Sequence, residues 1–496
     1  MNRKNLFFIT FFVVFLVTCL ISLQALNAQT KTNIKGDKSV NVFKAGAATS
    51  NITPFLGGGI VGNFEPPPSA THIHDELHER CLVLDDGETK LAFVIVDIIG
   101  MNRDLIDEAK RIIYNETNIP VENVLISATH IHSAVSVLGD WGKRRIYIYD
   151  QPFDDYQKFV IHRIADGVRI AINNLEPARI GWGVGSVPQH VFNRRWKMKP
   201  GTSMPNPFGG QDQVVMNPSG NPNILEPAGP IDPAVSFISV QSLQGRPIAL
   251  LGNYSLHYVG GVPIGDISAD YFAVFADRIQ ELLKADRQDP PFVGILSNGA
   301  CGDVNNINFR GTSQKYKTYE KIRIVANDVA QEVFRVCQTM QYHDWVRLKA
   351  AQEELTLKVR KPDQKMIEYA KMILAKPDTA KPFHRLEKVY AETTLKAQDW
   401  PDNINIILQV FRIGELGIAA IPFEPFVEIG LEIKEKSPFK PTFIIELANG
   451  SYLSYLPTPE QHKLGGYETW LGTSRVEIEA SRKIVSKLLE LFTKTK

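Results

Sequence analysis

Two histidines lie two residues apart in the segment "SATHIHSAV" (127–135), which follows a run of apolar residues. Side chains alternate between faces in a β-strand, so His130 and His132 would project from the same side at the end of a buried strand. Imidazole is the commonest metal ligand in proteins and also exchanges protons near neutral pH. The pair therefore indicates a metal site or a proton-transfer site. The simpler alternative is a pair of polar strand-end residues whose nitrogens bond to the backbone or to water.

Other polar residues also stand where apolar runs end. His257 ends one such run, Glu424 follows another, and Asp303 and Tyr455 lie just beyond two more. Ligands of open α/β sheets bind at strand ends, and two imidazoles with a carboxylate suit a catalytic zinc ion that keeps one position open for water. Each residue also has a structural alternative: His257 as a buried core histidine, Glu424 as a helix-start carboxylate, and Tyr455 as a packing aromatic.

An alternation of strands and helices must position these residues. Continuous apolar runs predict buried strands at 91–101 and 123–132, and helical spacing predicts helices at 103–116 and 156–175. This order favours an α/β fold with mixed, partly parallel β-sheet layers flanked by helices, in a single large catalytic domain. Further along we predict strands at 234–242, 247–257 and 292–299, a largely helical stretch at 315–400, a hairpin turning at 414–417 and a terminal helix at 475–492.

Residues 197–233 interrupt this alternation. They are dense in proline, glycine and asparagine and show no hydrophobic period. Because a segment of this length exceeds a routine connection, we predict a functional loop or lid rather than an interdomain linker.

The N-terminus has the pattern of an export signal. Arg3 and Lys4 precede a long apolar run, and Ala28 is a small residue at a suitable cleavage point. An uncleaved membrane anchor is the alternative, because the run is long enough to span a bilayer. We favour cleavage and expect a secreted or periplasmic protein. The predicted regions are a signal peptide (1–28), a flexible segment (29–42) and a folded domain (43–496).

The composition and the cysteines narrow the classes of partner and site. A formal net charge of +1 gives no electrostatic reason to expect binding to nucleic acid or to an anionic membrane surface. Lipidation at Cys19 is disfavoured, since Thr18 is larger than the residue that usually precedes a lipidated cysteine. Cys81, Cys301 and Cys337 are too few and too scattered for a disulfide framework or a C-x-x-C metal site, although one pairing stays open.

Six short blocks resemble, in order along the chain, the signature blocks of the neutral/alkaline non-lysosomal ceramidases. These are secreted zinc amidases that cleave the N-acyl bond of sphingolipids. The resemblance covers about residues 43 to 490. The blocks are "THIHS" (129–133), "FNRRW" (192–196), "NYSLH" (253–257), "GACGDV" (299–304), "IPFEPF" (421–426) and "SYLPTPEQHKLGGYET" (454–469).

The resemblance implies roles for particular residues. His132 would be a proton donor beside the metal, and Arg194 and Tyr467 match positions that contact the scissile amide. Without it, Arg194 would be a solvated loop charge and Tyr467 a packing aromatic. The implied zinc ligands are His130, His257, Glu424 and Tyr455. The residues expected only at the rim of the site are His72, His74 and His78.

Two features depart from the family pattern. The family carries a serine, proposed as a nucleophile, at the position that aligns with Gly299, and only a two-residue shift brings Ser297 into register. Family members also continue into a C-terminal immunoglobulin-like domain, whereas only residues 468–496 follow Tyr467 here. We therefore expect a divergent member that lacks this second domain.

The sequence thus predicts an exported, zinc-dependent hydrolase that cleaves an amide (N-acyl) bond with metal-activated water. One alternative keeps the metal site but places a glycan or another polar compound in it, because residues 197–233 contain few large apolar side chains. The other alternative is a non-catalytic binding protein on the same fold. The expected partners are a small-molecule, lipid or glycan substrate, with membrane contact only through the substrate or an uncleaved N-terminus.

Overall fold

In the computed structural model of the protein, the described residues are 41–62, 66–138, 152–311, 314–377, 379–452 and 454–496. The predicted signal peptide and nearly all of the segment 29–42 lie outside them. The strands are β1 (Lys44–Asn51), β2 (Ile60–Val61), β3 (His72–Ile73), β4 (His78–Asp85), β5 (Lys90–Val96), β6 (Val124–Ala128), β7 (Ala134–Val135), β8 (Glu176–Ser186), β9 (Phe192–Asn193), β10 (Arg195–Met198), β11 (Val214–Met216), β12 (Ile224–Pro227), β13 (Ala234–Ser242), β14 (Pro247–Tyr254), β15 (Asp266–Ile267), β16 (Val293–Asn298), β17 (Val304–Asn305), β18 (Tyr342–His343), β19 (Leu348–Lys358), β20 (Asn403–Ile413), β21 (Leu416–Ala420), β22 (Glu424–Pro425), β23 (Thr442–Ile445) and β24 (Tyr455–Leu456). The helices are α1 (Arg103–Thr117), α2 (Asp155–Asn173), α3 (Asp270–Leu282), α4 (Glu320–Cys337), α5 (Gln364–Leu374), α6 (Glu387–Lys396), α7 (Val427–Lys436), α8 (Pro459–Leu464) and α9 (Ala480–Lys494).

Two mixed sheets form the centre of the fold. The larger sheet has the strand order β16-β14-β13-β8-β1-β4-β5-β6, with β18 beside β8. Its neighbours are antiparallel except for the parallel pairs β14–β16 and β5–β6. The smaller sheet has the order β19-β20-β21-β23, in which β21 and β23 are parallel. Each parallel pair brings two strand ends to one edge, where ligand sites form.

The two sheets pack face to face and are covered by helices on their outer faces. One apolar cluster fills the space between the sheets, where the Phe93 and Phe411 rings lie 4.9 Å apart. A second cluster joins the larger sheet to α1, α2, α3 and α4, and a third joins the smaller sheet to α7 and α9. Phe43–Lys496 form one compact unit. The predicted fold class, mixed sheet layers flanked by helices, is confirmed.

Local sequence explains several helices directly. Asp154 caps α2: its carboxylate accepts from the Gln157 N–H at 2.8 Å, and the Gln157 side chain accepts from the Asp154 N–H at 2.9 Å. The predicted alternation of strands and helices from residue 91 onward corresponds to β5, α1, β6 and α2. In the part of the chain that the structure describes, no helix has both the length and the apolar composition needed to cross a bilayer.

Two predicted segments differ from the structure. The stretch 315–400 is not largely helical, because Leu348–Lys358 forms the edge strand β19. Its alanine, glutamate and lysine residues favour helix, but pairing along its full length with β20 overrides that propensity. The stretch 197–233 is not a plain loop either: β11 and β12 flank β10 in a small three-stranded sheet.

The ends of the two sheets are joined by buried asparagine side chains. Asn253, on β14, donates from Nδ2 to the Ile444 carbonyl of the smaller sheet at 2.8 Å and to Ser297 Oγ at 3.0 Å. Asn298 donates from Nδ2 to the Thr129 carbonyl at 2.9 Å. The backbone carbonyl of Asn298 accepts at 3.2 Å from the N–H of Glu446, which directly follows β23 of the smaller sheet. These bonds fix the strand ends of both sheets at one edge.

Replacing Asn253 with alanine should weaken this junction. The Ile444 carbonyl would lose its buried donor, so we expect Asn253→Ala to lower the free energy of unfolding by about 1–3 kcal/mol. Urea unfolding measures the change, with the exposed Asn403→Ala on β20 as the matched control. Equal stability of the two variants would show that the junction does not depend on this side chain.

Candidate active site

Three histidines converge at the edge where the two sheets meet. His132 Nε2 lies 3.3 Å from His130 Nε2, and the His130 and His257 ring centroids are 4.7 Å apart. Each ring offers one nitrogen, and the three nitrogens all lie within 4.8 Å of one another. His130 and His257 are fully enclosed, while His132 is partly exposed. The structure therefore brings together three imidazoles that come from two separate strand ends.

The reason for the convergence differs from the predicted one. β6 ends at Ala128, so His130 and His132 are outside the strand and strand alternation does not place them. His130 instead has a left-handed backbone with φ of 60°, a conformation that non-glycine residues adopt only where the surroundings hold them. The Ile98 carbonyl accepts from its N–H at 2.9 Å, and the Ile99 carbonyl lies 2.7 Å from its Nδ1. These contacts orient the His130 ring so that its Nε2 atom faces the other two imidazoles.

His132 is held by its neighbours rather than by a strand. Its ring stacks on Tyr258 with 3.9 Å between centroids. On its other side is Gly62, where a Cβ atom would lie 2.6 Å from Cγ and Nδ1 of the ring. Gly62 also has φ of 116°, a conformation that side chains disfavour. A glycine is therefore required at this position by both the backbone and the histidine.

Glu424 completes the cluster from the smaller sheet. Strand β22 pairs in parallel with β24, which places Glu424 directly opposite Tyr455. Glu424 Oε2 lies 3.3 Å from His130 Nε2 and 3.9 Å from His257 Nε2. It is buried, and among the described residues it has no donor in hydrogen-bonding geometry. A buried carboxylate oxygen left in this state is costly unless another positive group binds it.

Burial controls the protonation of these groups. It holds the pKa values of His132 and His257 well below the usual value, so both imidazoles are neutral and have lone pairs to offer. Burial also lowers the pKa of His130, but the Glu424 carboxylate and the Ile99 carbonyl outweigh it and leave the pKa raised. Neutral imidazoles around an unsatisfied carboxylate are the nitrogen and oxygen donors that zinc binds. The donor set therefore fits a zinc ion.

A buried layer supports His257 from behind. Cys301 Sγ lies 3.6 Å from His257 Nδ1 and donates to Glu446 Oε1 at 3.0 Å. The Cys301 N–H also donates to Glu446 Oε2, at 3.2 Å. Burial raises the pKa of Glu446 to about 8, although its bonds to Cys301 oppose the shift. Cys81, Cys301 and Cys337 are all free thiols, so none of them forms the disulfide left open by the sequence.

Two arginines and a glutamate form the opposite wall. Glu468 accepts from Arg194 Nε at 2.8 Å and from Arg195 Nη1 at 2.7 Å, and all three side chains are buried. The Arg194 guanidinium lies 5.1 Å from the centre of the Tyr455 ring, and Tyr455 is 5.9 Å from the Tyr467 ring. Arg194 Nη2 is buried and has no hydrogen-bond partner among the described residues. Arg194 and Tyr467 thus lie beside the Glu424–Tyr455 pair, as sequence order alone does not reveal.

The protonation of this wall also follows from burial and charge. Burial alone would raise the pKa of Glu468. Arg194 and Arg195 outweigh that effect and leave the pKa below its usual value, so the carboxylate stays ionised. Burial raises the pKa of Tyr455 well above its usual value despite the nearby Arg194, so its hydroxyl stays protonated.

Other candidate residues have structural partners. Asp303 accepts from the Val427 N–H at 2.9 Å and from Asn193 Nδ2 at 2.7 Å, so it anchors the start of α7. Ser297 Oγ donates to the Gly252 carbonyl at 3.0 Å inside the sheet. Gly299 does not face the histidines: a Cβ there would lie 2.4 Å from Ser255 Oγ.

The second histidine group lies apart from the cluster. His74 stacks on Tyr319 with 3.6 Å between ring centroids, and His72 Nδ1 is 3.4 Å from an Asp266 oxygen. His78 Nδ1 is 3.2 Å from the Glu76 carbonyl. None of these contacts involves His130, His132 or His257.

Several residues of the site carried no signal in the sequence analysis. Gly62 and Glu446 lie far from the histidines along the chain, and no local pattern marks them. Tyr258 and Glu468 each directly follow a candidate residue, His257 and Tyr467. Their adjacency was the only available signal, and it does not say which way their side chains point.

The protein has a neutral-ceramidase-like fold, as the six sequence blocks predicted. The structure matches neutral ceramidase from Pseudomonas aeruginosa with a TM-score of 0.68 and 16% sequence identity, over 92% of this chain and 74% of that one. It also matches a ceramidase complexed with C2, with a TM-score of 0.65 and 15% identity, over 92% of this chain and 75% of that one. No family model matches the sequence.

From the buried contacts of Glu468 with Arg194 and Arg195, here called the Glu468 clamp, we predict a large effect on stability. Glu468→Gln would leave two buried guanidinium groups without their shared anion, so we expect a loss of about 3–5 kcal/mol in the free energy of unfolding. The matched control is Glu226→Gln, which removes the carboxylate of the exposed Lys197–Glu226 pair and should change little. Urea unfolding of both variants tests this, and equal losses would contradict the clamp.

Proposed function

We propose that this protein is an exported, zinc-dependent hydrolase that cleaves an amide (N-acyl) bond. The observation that carries the proposal is Glu424 Oε2, a buried carboxylate oxygen without a donor, 3.3 Å and 3.9 Å from the Nε2 atoms of His130 and His257. The fold supports the choice of reaction, because the solved structures that share it are named as ceramidases. The TM-scores of 0.68 and 0.65 support the fold, while sequence identities of 16% and 15% leave the substrate to be tested.

The zinc ion would be held by His130, His257, Glu424 and Tyr455. When bound there, zinc would polarise the amide carbonyl and lower the pKa of a water molecule to about 7. Burial keeps His257 neutral and the Ile99 carbonyl orients His130, so neither nitrogen needs to rearrange before it binds.

The residues of the chain would handle the proton and the developing charge. His132 is neutral and faces the cluster through Nε2, so it can accept a proton and pass it to the leaving amine. Arg194 points an unpartnered Nη2 toward this region and, with the Tyr467 hydroxyl, would stabilise the negative charge on the amide oxygen. Glu468 fixes the Arg194 guanidinium in place, so its positive charge is already oriented before the substrate binds.

A polar substrate is the second candidate, and one observation favours it. A cavity of about 560 Å³ opens beside β9 and β17, the strands that flank Arg194 and Asp303. Amide side chains combined with aromatic rings suit a hydroxylated ligand such as a glycan, since amides hydrogen-bond and rings stack. The amide and aromatic residues that line it are Gln189, Phe192, Asn306, Asn308, Phe309, Gln314 and Tyr316.

Metal analysis tests the ligand assignment. We expect the purified protein to bind about one zinc ion per chain, and His130→Ala and His257→Ala to lose it while the fold persists. His343→Ala is the control, because His343 stacks on Trp182 away from the cluster. Elemental analysis and circular dichroism give the two readouts. Full zinc content in both ligand variants would refute the assignment.

His132→Ala separates the proton donor from the ligands. If His132 transfers protons, this variant should keep zinc and lose about 10²- to 10⁴-fold in turnover of an N-acyl amide. If it loses zinc as fully as His130→Ala, then His132 is a ligand, as the 4.8 Å cluster of three nitrogens also allows. A protein that binds zinc and cleaves neither amides nor glycosides would support the binding-protein alternative.

Ser297→Ala tests whether a serine attacks the amide. Ser297 Oγ is buried between the Gly252 carbonyl and Asn253 Nδ2, and neither group is a base that could activate it. We therefore expect Ser297→Ala to keep turnover within about tenfold, or about 1.4 kcal/mol of barrier. An acyl-enzyme trapped in the wild type and absent in Ser297→Ala, seen by intact mass, would overturn this expectation.

A further inference from the structure

A second cavity, of about 280 Å³, lies against Tyr467. It lies between the three-stranded sheet β11-β10-β12 and the segment 384–386, which precedes α6. Its walls include three methionines (Met198, Met204 and Met216), two aromatic residues (Tyr467 and Trp470) and the charged Arg385. No sequence pattern indicated this cavity.

The walls of this cavity are mainly apolar. Met198 is 7% exposed and Val214 is 2% exposed. Met204 and Val215 pack against a small apolar cluster of Trp196, Met198 and Phe309. The one carboxylate in the lining, Asp212, already accepts from Trp470 Nε1 at 2.8 Å and from Asn206 Nδ2 at 3.0 Å. Methionine side chains adapt to the shape of a bound group. Arg385, the guanidinium in the lining, also has an interaction partner of its own. The cavity therefore suits an uncharged apolar or aromatic group.

The cavity borders the proposed active site through Tyr467. Tyr467 lines it and lies 5.9 Å, ring to ring, from Tyr455, which in turn pairs with Glu424. The strand β10 also links the two, since Arg194 directly precedes it and Met198 ends it at the cavity wall. A substituent of an amide held beside Tyr467 would therefore lie next to this cavity.

The size of the cavity limits what can enter. Sites that enclose drug-sized ligands measure about 300–1,000 Å³, so about 280 Å³ is enough for a short chain or a single ring. A long acyl chain exceeds it. We propose that this cavity binds one substituent of the scissile amide and selects a short aliphatic or aromatic group over a long chain. This inference rests on the proposed amide hydrolysis and adds the substrate class.

Two substrate series test the inference on the full, zinc-loaded chain. One series is N-acyl ethanolamines from acetyl to palmitoyl, with benzoyl included, and the other is N-alkyl acetamides from methyl to hexadecyl. The two series vary the two substituents of the amide, and the cavity binds one of them. In the series that varies the bound substituent, kcat/KM should peak at a short or aromatic group and fall at least about tenfold at the longest chain. A maximum at the longest chain in both series, at palmitoyl and at hexadecyl, would overturn the inference.

Cavity variants locate the selectivity. Met204→Trp fills the cavity and should lower kcat/KM for hexanoyl ethanolamide at least about tenfold while acetyl ethanolamide changes little. Met204→Ala enlarges the cavity and should move the optimum to longer chains. The control is Met372→Ala, the same change at a methionine on α5 that is 51% exposed, which should leave the profile unchanged. An unchanged profile in both Met204 variants would refute the role of the cavity.

A binding measurement separates this inference from the proposed reaction. If the zinc-loaded protein cleaves no amide in either series, the proposed function fails. Calorimetry with hexanamide then decides the inference, because the wild type should bind it at least about tenfold more tightly than Met204→Trp. Equal affinity of the two proteins would refute a compact apolar site at this place.

Discussion

The architecture depends on one constraint: strand ends from two different sheets must meet at the same edge. Asn253 and Asn298 impose it, since each spans from the larger sheet to backbone groups that lead into the site. His130 and His257 follow strands of the larger sheet, and Glu424 follows a strand of the smaller one. Further bonds cross between the sheets, from Ser127 Oγ to the Glu446 carbonyl and from Gln409 Nε2 to the Val124 carbonyl. Together these polar bonds hold imidazoles and a carboxylate from separate layers at one edge.

The site combines two different ways of burying polar groups. On one wall, Arg194, Arg195 and Glu468 satisfy one another as ions, which makes that wall rigid. On the other wall, burial keeps His132 and His257 neutral, and Glu424 has an oxygen left without a donor. The first wall balances most of its charge internally and leaves Arg194 Nη2 without a partner, whereas the second has donors to spare for a cation. This difference between the walls is the physical basis for placing the metal on one side and charge stabilisation on the other.

Sequence reasoning recovered what depends on local pattern and missed what depends on distant packing. Buried apolar runs gave β5, β6, β14 and β16, and the polar residues after them do gather at one edge. The left-handed backbone of His130 could not be predicted, because it results from hydrogen bonds to Ile98 and Ile99 on a neighbouring strand end. The strand Leu348–Lys358 was missed for the same reason, since its state is fixed by pairing with β20. The role of Glu468 depends on two arginines more than two hundred residues earlier in the chain.

The wide separation of the site residues along the chain has a kinetic consequence. His130, His257 and Glu424 come together only after both sheets have formed and docked, and such non-local contacts require the closure of long loops. Any fragment that contains all three residues must extend from His130 to Glu424, so an intermediate with undocked sheets lacks the assembled cluster. Capture of a metal ion by this cluster would then be among the last events of folding, and its rate would report the docking of the two sheets.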